Sequence, residues 1–288
     1  MRLAEFFGIS EGDGHIPKDM YKMTITSNGL EEKEYIEYVK EMMENIFNKT
    51  PKTMPHNDSN ALDLIIYGKN NVGGLVKKGL IPGDKVKNQI STAPWISKKQ
   101  EYKLGNLRGK ADSDGSIFVK RAQKSIRIGF QNHSKPLVHD FKDLCESFDI
   151  KTGRVTTYIR TNPDKEKKYK QYDILVAAKS EVSKFLDIIK PKKWEYRAET
   201  LGLTLISLND PQKRNAIEKE LYKEYPDKRS HYTDEYKDLL KNLCKKHGYE
   251  VHKESIIKAI ENAFTNKHTG NLSIHAKNLI DELKERWK

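Results

Sequence analysis

Two short segments, far apart in the chain, repeat one pattern. Phe6-Phe7-Gly8-Ile9-Ser10-Glu11-Gly12-Asp13-Gly14 is echoed by Leu107-Arg108-Gly109-Lys110-Ala111-Asp112-Ser113-Asp114-Gly115. Each copy places small residues one helical turn apart, Gly8 with Gly12 and Gly109 with Ser113. Removing side-chain bulk from one helix face lets two backbones touch, so the pattern predicts two helices packed directly on each other. Each copy closes on Asp-Gly, which predicts Gly14 and Gly115 as left-handed helix stops. Asp13 and Asp114 then face the negative end of the helix dipole, an unfavourable place for a carboxylate. Packed side by side they would repel, and a hard divalent cation between them would relieve both conflicts. One copy alone reads as an ordinary cap with a solvated Asp; two copies with the same small-residue spacing favour the paired-helix reading.

The paired segments resemble the motifs of LAGLIDADG homing endonucleases in the single-chain form that carries both copies. The resemblance covers roughly the first two-thirds of the chain. It implies cleavage of both strands of a long, near-asymmetric double-stranded DNA site, with Mg²⁺ or another divalent cation such as Mn²⁺. The last acidic residue of each motif, Asp13 and Asp114, would be catalytic and metal-binding. The carbonyls of Gly12 and Ser113 would complete the metal shell. By the same resemblance Lys98 and Lys193 lie in loops near the site, with Lys99 and Lys192 fitting almost as well, while Ser27 and Gln131 take the polar strand-end position. Lys110 departs from the family's usual apolar residue, and its long stem is expected to snorkel.

The remaining features are consistent with that reading. The 288 residues carry a formal net charge of +12, which favours a polyanionic partner. Cys145 and Cys244 form no CxxC or CxxH spacing and read as small core residues, not zinc ligands or a disulfide. The absence of a signal peptide or membrane-length apolar run predicts an intracellular protein, in cytoplasm, nucleoid or organelle matrix, without membrane contact. It is expected to act as a monomer encoded within an intron; an intein origin is disfavoured because the chain runs from Met1 to Lys288 without a terminal Asn.

Along the chain, His15–Ile25 reads as two strands, Gly29–Asn48 as a helix, Pro51–Asn60 as turns and Ala61–Tyr67 as a strand. A helix-turn segment from Val72 leads through Pro94-Trp95-Ile96 into the second motif helix near Gln100. The second half repeats the plan: strands at Ser116–Lys120 and Ser125–Gln131, a helix at Pro136–Phe148, strands at Arg154–Arg160 and Tyr172–Ala177, and a helix at Glu181–Ile189. Leu62-Asp63-Leu64 answers Tyr172-Asp173-Ile174. The fold class is therefore α+β, two pseudo-symmetric αββαββα repeats (1–98 and 99–203) with antiparallel saddle-shaped sheets, plus an all-helical C-terminal extension at 204–288. That extension divides into helices at Pro211–Tyr225, Thr233–His247, Glu254–Asn266 and Ser273–Trp287. It reads as a DNA-binding module of helix-turn-helix type or as a packing extension.

Strand alternation nominates the DNA face. Ile126, Ile128 and Phe130 point one way, Ser125, Arg127 and Gln131 the other; Arg154, Thr156, Tyr158 and Arg160 share a face. With Lys120 they form the second repeat's candidates, and Lys18, Lys22, Thr24 and Thr26 the first's. Such ribbons fit the major groove, where Arg reads guanine and Gln reads adenine. The loop 164–170 is a candidate phosphate contact. His15 follows the first motif and is a candidate neighbour of the metals, though a polar strand start is the simpler reading. Glu31-Glu32-Lys33-Glu34 reads as a solvated helix start. No HExxH and no phosphate-cradling glycine loop appears. The rival class is a non-cleaving binder, an intron maturase or a DNA-binding regulator using the same basic face.

Overall fold

The chain begins with the first motif helix, α1 (Arg2–Gly12), followed by β1 (Gly14–His15), β2 (Lys22–Asn28), α2 (Lys33–Phe47), β3 (Lys52–Pro55), β4 (Ala61–Tyr67), α3 (Lys69–Lys77) and α4 (Lys85–Asn88). A 3-10 turn at Pro94–Lys98 leads into α5 (Gln100–Asp112), the second motif helix. Then come β5 (Gly115–Lys120), β6 (Ser125–Asn132), α6 (Lys135–Glu146), β7 (Thr156–Asn162), β8 (Lys167–Val176) and α7 (Lys179–Ile189). The chain closes with α8 (Lys192–Ser207), α9 (Pro211–Glu224), α10 (Asp234–Lys246), α11 (Lys253–Phe264) and α12 (Ile274–Arg286). This computed structural model describes residues 1–162, 167–225 and 232–288. The two four-stranded antiparallel sheets run β1-β2-β4-β3 and β5-β6-β8-β7, the same order in each half. The fold is α+β, as the duplicated pattern predicts.

Two compact units emerge, Met1–Ser116 with Gly129–Val176, and Ile117–Ile128 with Ala177–Lys288. In the first, α1 and α5 lie against each other at its centre. A Cβ on Gly8 would sit 2.2 Å from the Asn106 carbonyl oxygen, and one on Gly109 would sit 2.2 Å from that of Glu5. Only glycine fits at either position. In the first sheet, Met23 pairs Ile66 and Ile25 pairs Leu64, and all four are buried. The amphipathic α2 buries Tyr35, Ile36, Val39, Met42 and Met43, the spacing of one helix face. Phe130 and Phe141 stack at 4.5 Å and tie β6 to α6.

Among its described residues the second unit is helical apart from residues 117–128. α10 and α11 both pack on α8, and α12 packs on α7. Gly202 of α8 admits Ile256, whose Cγ2 would lie 2.4 Å from an added Cβ. Asp210, Thr233 and Ser273 cap α9, α10 and α12 through their side chains. Tyr232 donates its hydroxyl to the Ile117 carbonyl, 3.1 Å, and Arg121 pairs with Glu218, joining residues 117–128 to the helices.

Several local expectations are corrected. Gly14 and Gly115 are absent from the glycines with positive φ. They open β1 and β5, and glycine is needed because a Cβ would strike the Ser10 and Ala111 carbonyl oxygens at 2.5 and 2.2 Å. The segment read as turns after Pro51 contains β3, an edge strand exposed along its whole length, so no burial alternation marks it. β7 begins at Thr156, leaving Arg154 before the strand. The stretch 192–203, assigned no element, belongs to α8, whose buried stripe is Trp194, Ala198, Leu201 and Leu205. Cys145 and Cys244 are buried as expected, and burial pushes their thiols up, Cys244 to about 12.

Glycines in contact and glycines in open space should behave oppositely. Gly109→Val is expected to lower unfolding free energy by about 3 kcal/mol or more through overpacking. Gly73→Ala, in α3 with nothing within 4 Å of the new Cβ, should be neutral or stabilise by about 0.5–1 kcal/mol. Urea unfolding of the two variants measures both.

Candidate functional site

The close approach of α1 and α5 brings their C-terminal ends together. Gly12 lies against the other motif: a Cβ there would be 2.3 Å from Ser113 Oγ and 3.2 Å from the carboxyl carbon of Asp114. Ser113 Oγ in turn donates to Gly109 O at 2.9 Å. Asp13 is the C-cap of α1, and Asp114 follows Ser113, the C-cap of α5. Both aspartates are half-buried. The main chain treats them equivalently, since Asp13 O accepts from Thr26 N at 3.2 Å and Asp114 O from Gln131 N at 3.4 Å. That pairing identifies Thr26 as the counterpart of Gln131. Ser27, expected in this place, is one residue off and lies on the buried face of β2.

A lysine that the sequence analysis did not nominate occupies this floor. Asp84 caps the short α4 and sets Lys85 at its first position. Lys85 Nζ donates to the carbonyls of Ser10 at 3.5 Å, Glu11 at 3.2 Å and Gly12. Burial pulls its pKa down, while Asp114, Asp13 and Glu11 work to hold the proton on. The ammonium thus caps the negative end of α1 beside both motif aspartates. The Pro82-Gly83-Asp84 turn and cap were the only sequence signal for it. Lys98 is exposed at the start of α5, whereas Asp114 follows that helix's far end, about 20 Å of helix away. Lys193 is buried in the first turn of α8, in the second unit, on a helix and not a loop.

Beneath the floor lies a polar cluster inside the helix interface. Lys110 does not snorkel: it is fully buried and ion-paired with Glu11, itself 3% exposed. Asn106 Nδ2 donates to Glu11 Oε2 at 3.2 Å and to Ala4 O at 3.3 Å. Glu5 accepts from Tyr38 at 2.7 Å and faces Arg108 at 3.6 Å. Burial and the Glu5 carboxylate push the Tyr38 hydroxyl well up.

Oxygen donors at this floor suit a hard divalent cation: two carboxylates and the neighbouring Gly12 and Ser113 carbonyls. The Gly12 carbonyl accepts from the Lys85 ammonium. Asn132 Nδ2 holds the Asp114 carboxylate at 2.5 Å. Among the described residues no group of three or more His, Cys, Asp or Glu is placed to hold a metal, so a metal here depends on carbonyls and phosphate oxygens as well.

The candidate DNA face is mixed. Lys18 is exposed and Lys22 and Thr26 half-buried, but Thr24 is buried between its neighbours in the sheet. Thr26 Oγ1 donates to Asp63 at 2.7 Å, and His56 Nε2 lies 3.1 Å from the same carboxylate. In the second half, Gln131, Arg154, Thr156, Tyr158 and Arg160 are exposed. Lys120, Ser125 and Arg127 belong to the second unit; Lys120 is exposed, Arg127 half-buried and Ser125 buried. Within the loop 164–170, residues 164–166 lie outside the described residues. His15 is an exposed residue of β1 paired with Thr24.

Residues 101–190 match the family model of a LAGLIDADG-like domain. Similar solved structures include homing endonuclease I-DmoI in complex with DNA and Mn, at 14% identity over 65% of this chain and 95% of that one, TM-score 0.43. They also include full-length DUF199/WhiA from Thermatoga maritima, at 10% identity over 87% of this chain and 93% of that one, TM-score 0.44. No curated protein sequence matches the chain.

The buried pair gives a direct energetic test. Lys110→Met strands the Glu11 carboxylate and is expected to cost about 3–5 kcal/mol, whereas Lys110→Met with Glu11→Leu should recover most of it. A double-mutant cycle by chemical denaturation measures the coupling.

Proposed function

We propose that this protein is a site-specific, metal-dependent DNA endonuclease that hydrolyses one phosphodiester per strand within a long duplex site. The observation that carries it is the floor itself: two aspartates at the ends of touching helices, with a lysine ammonium bonded to the α1-end carbonyls. Asp13 and Asp114, with the Gly12 and Ser113 carbonyls, would hold Mg²⁺ or Mn²⁺. Such ions supply a hydroxide-like nucleophile and neutralise the leaving oxygen.

The chain's own groups do the positioning. Asn132 fixes the orientation of Asp114. Lys85 offers a charge-assisted donor to a phosphate oxygen once DNA displaces part of its carbonyl cap. The polar faces of the sheets, with Lys22, Thr26, Tyr158 and Arg160 outward, and Lys18 in the turn before β2, supply major-groove and backbone contacts. Working as a monomer, with both motifs in one chain, suits a site without strict symmetry.

A non-cleaving binder is the second reading, favoured by Lys85, because a tethered cation already neutralises part of the acidic floor. Plasmid cleavage separates the two. Asp13→Asn and Asp114→Asn are each expected to lower double-strand cutting by on the order of 10²–10³-fold while gel-shift affinity is kept. Lys85→Met should slow cutting about tenfold or more by loss of one charge-assisted contact. Wild-type protein that binds a selected site but leaves it intact in Mg²⁺ and Mn²⁺ would establish the binder instead.

A further inference from the structure

Ser134 stands at the N-cap of α6, yet its side chain does not cap that helix. An N-cap serine ordinarily accepts from an amide of its own first turn. This hydroxyl instead donates to the Ile90 carbonyl at 2.6 Å, reaching the segment that follows α4. Ser134 is 1% exposed, so its hydroxyl depends on a partner inside the protein. A return bond comes from Gln89, whose Oε1 accepts from the Lys135 amide, the first of α6, at 3.1 Å. Gln89 Nε2 donates to Val86 O at 2.7 Å and to His133 O at 3.2 Å. All three partners are main-chain groups with fixed roles, so the amide has one orientation. Gln89 also holds a left-handed backbone at the end of α4, with φ of +45°. Such a conformation in a non-glycine residue persists where its surroundings over-determine it.

The two ends of this bracket carry polar groups of the floor. On one side, Ser134 N donates to Asn132 Oδ1 at 2.6 Å, which turns the Asn132 amide nitrogen onto the Asp114 carboxylate. On the other, the amides of Gln89 and Ile90 close on the Lys85 carbonyl, and the Lys85 side chain lies on Glu11 O and Gly12 O. Thr92 N donates to Asp140 of α6 at 2.5 Å and ties the same segment once more. A four-residue helix is too short to hold its own shape. The bonds to α6 supply what the length of α4 does not.

We propose that Ser134 and Gln89 are positioning residues of the cleavage floor: they lock the end of α4 to the start of α6. Lys85 from the first half and Asp114 from the second are thereby held at one separation. Reaction geometry that depends on both groups is sensitive to displacements of about 1 Å.

The effect on cutting rests on the endonuclease reading above, whereas the bracket has a test that needs neither DNA nor metal. Competitive acetylation of the folded full chain, read by mass spectrometry, measures how accessible the Lys85 amine is. Ser134→Ala removes the bond to Ile90 and keeps the main-chain bond to Asn132. Gln89→Gly removes the side-chain amide, and glycine suits the left-handed backbone. Each is expected to raise Lys85 labelling about fivefold or more while other lysines and thermal unfolding hold. Ser134→Thr, which keeps a hydroxyl, should restore protection. In plasmid cleavage Ser134→Ala and Gln89→Gly should lower kcat about tenfold with KM unchanged. Lys85 labelling that stays at the wild-type level in both variants overturns the bracket. Raised labelling with wild-type cutting overturns its role at the floor. A wild type that cuts no duplex overturns the endonuclease reading, and the labelling result still decides the bracket.

Discussion

Backbone contact between α1 and α5 is the constraint on which the first unit depends. Gly8 and Gly109 admit no side chain, and the partner atoms are carbonyl oxygens and amide nitrogens, which cannot step aside as a flexible side chain would. At this separation the helix C-termini cannot diverge. Two dipole ends, two aspartates and several unsatisfied carbonyls are therefore concentrated in one place. Everything chemically interesting in the unit answers that concentration of negative charge: Lys85 on three carbonyls, Asn132 on Asp114, and the donor set that suits a divalent ion.

The same interface tolerates a buried charge pair that a plain packing seam would avoid. Lys110 and Glu11 are both taken out of water, and their mutual attraction offsets a large desolvation cost without necessarily exceeding it. What the pair contributes is pairing order. Glu11 comes from the first motif and Lys110 from the second; Ile9 occupies the first-motif position that corresponds to Lys110. Two copies of the first motif brought together would bury Glu11 without its lysine, so the pair disfavours that assembly. Unlike halves in one chain benefit from such a marker, because touching glycine faces alone do not distinguish self from partner.

Much of the architecture was legible from residues because local signals agreed. The small-residue spacing implied touching helices, and Asp210 with Pro211, Thr233 and Ser273 announced three of the late helices through their caps. What stayed hidden was set by tertiary context. β3 is an exposed edge with no alternation to detect. α8 buries a stripe around Trp194, but Thr200, Gly202 and Thr204 interrupt its helical appearance. Lys85 lies far in sequence from the motifs and is brought in by a four-residue helix, so no spacing rule reaches it. Ser27 and Thr26 differ by one residue, and in a strand that reverses the face; only the backbone bond to Asp13 decides which of them is the counterpart of Gln131.

Duplication fixes the backbone more tightly than the chemistry. Asp13 and Asp114 receive matching main-chain bonds from Thr26 and Gln131, yet their surroundings differ in kind. The α1 end carries a lysine ammonium, while the α5 aspartate is held by a neutral amide. Along the sheets, one half sets a hydroxyl and a histidine on its central carboxylate, and the other runs two amides out to an arginine. A repeated fold places equivalent atoms at equivalent distances; charge and hydrogen-bond direction are then free to diverge, because they depend on side chains that the touching glycine faces do not constrain. Two identical subunits could not make that separation. In a single chain the divergence costs the shared interface nothing, which is the physical reason to expect unlike halves of a bound site to be met by unlike chemistry.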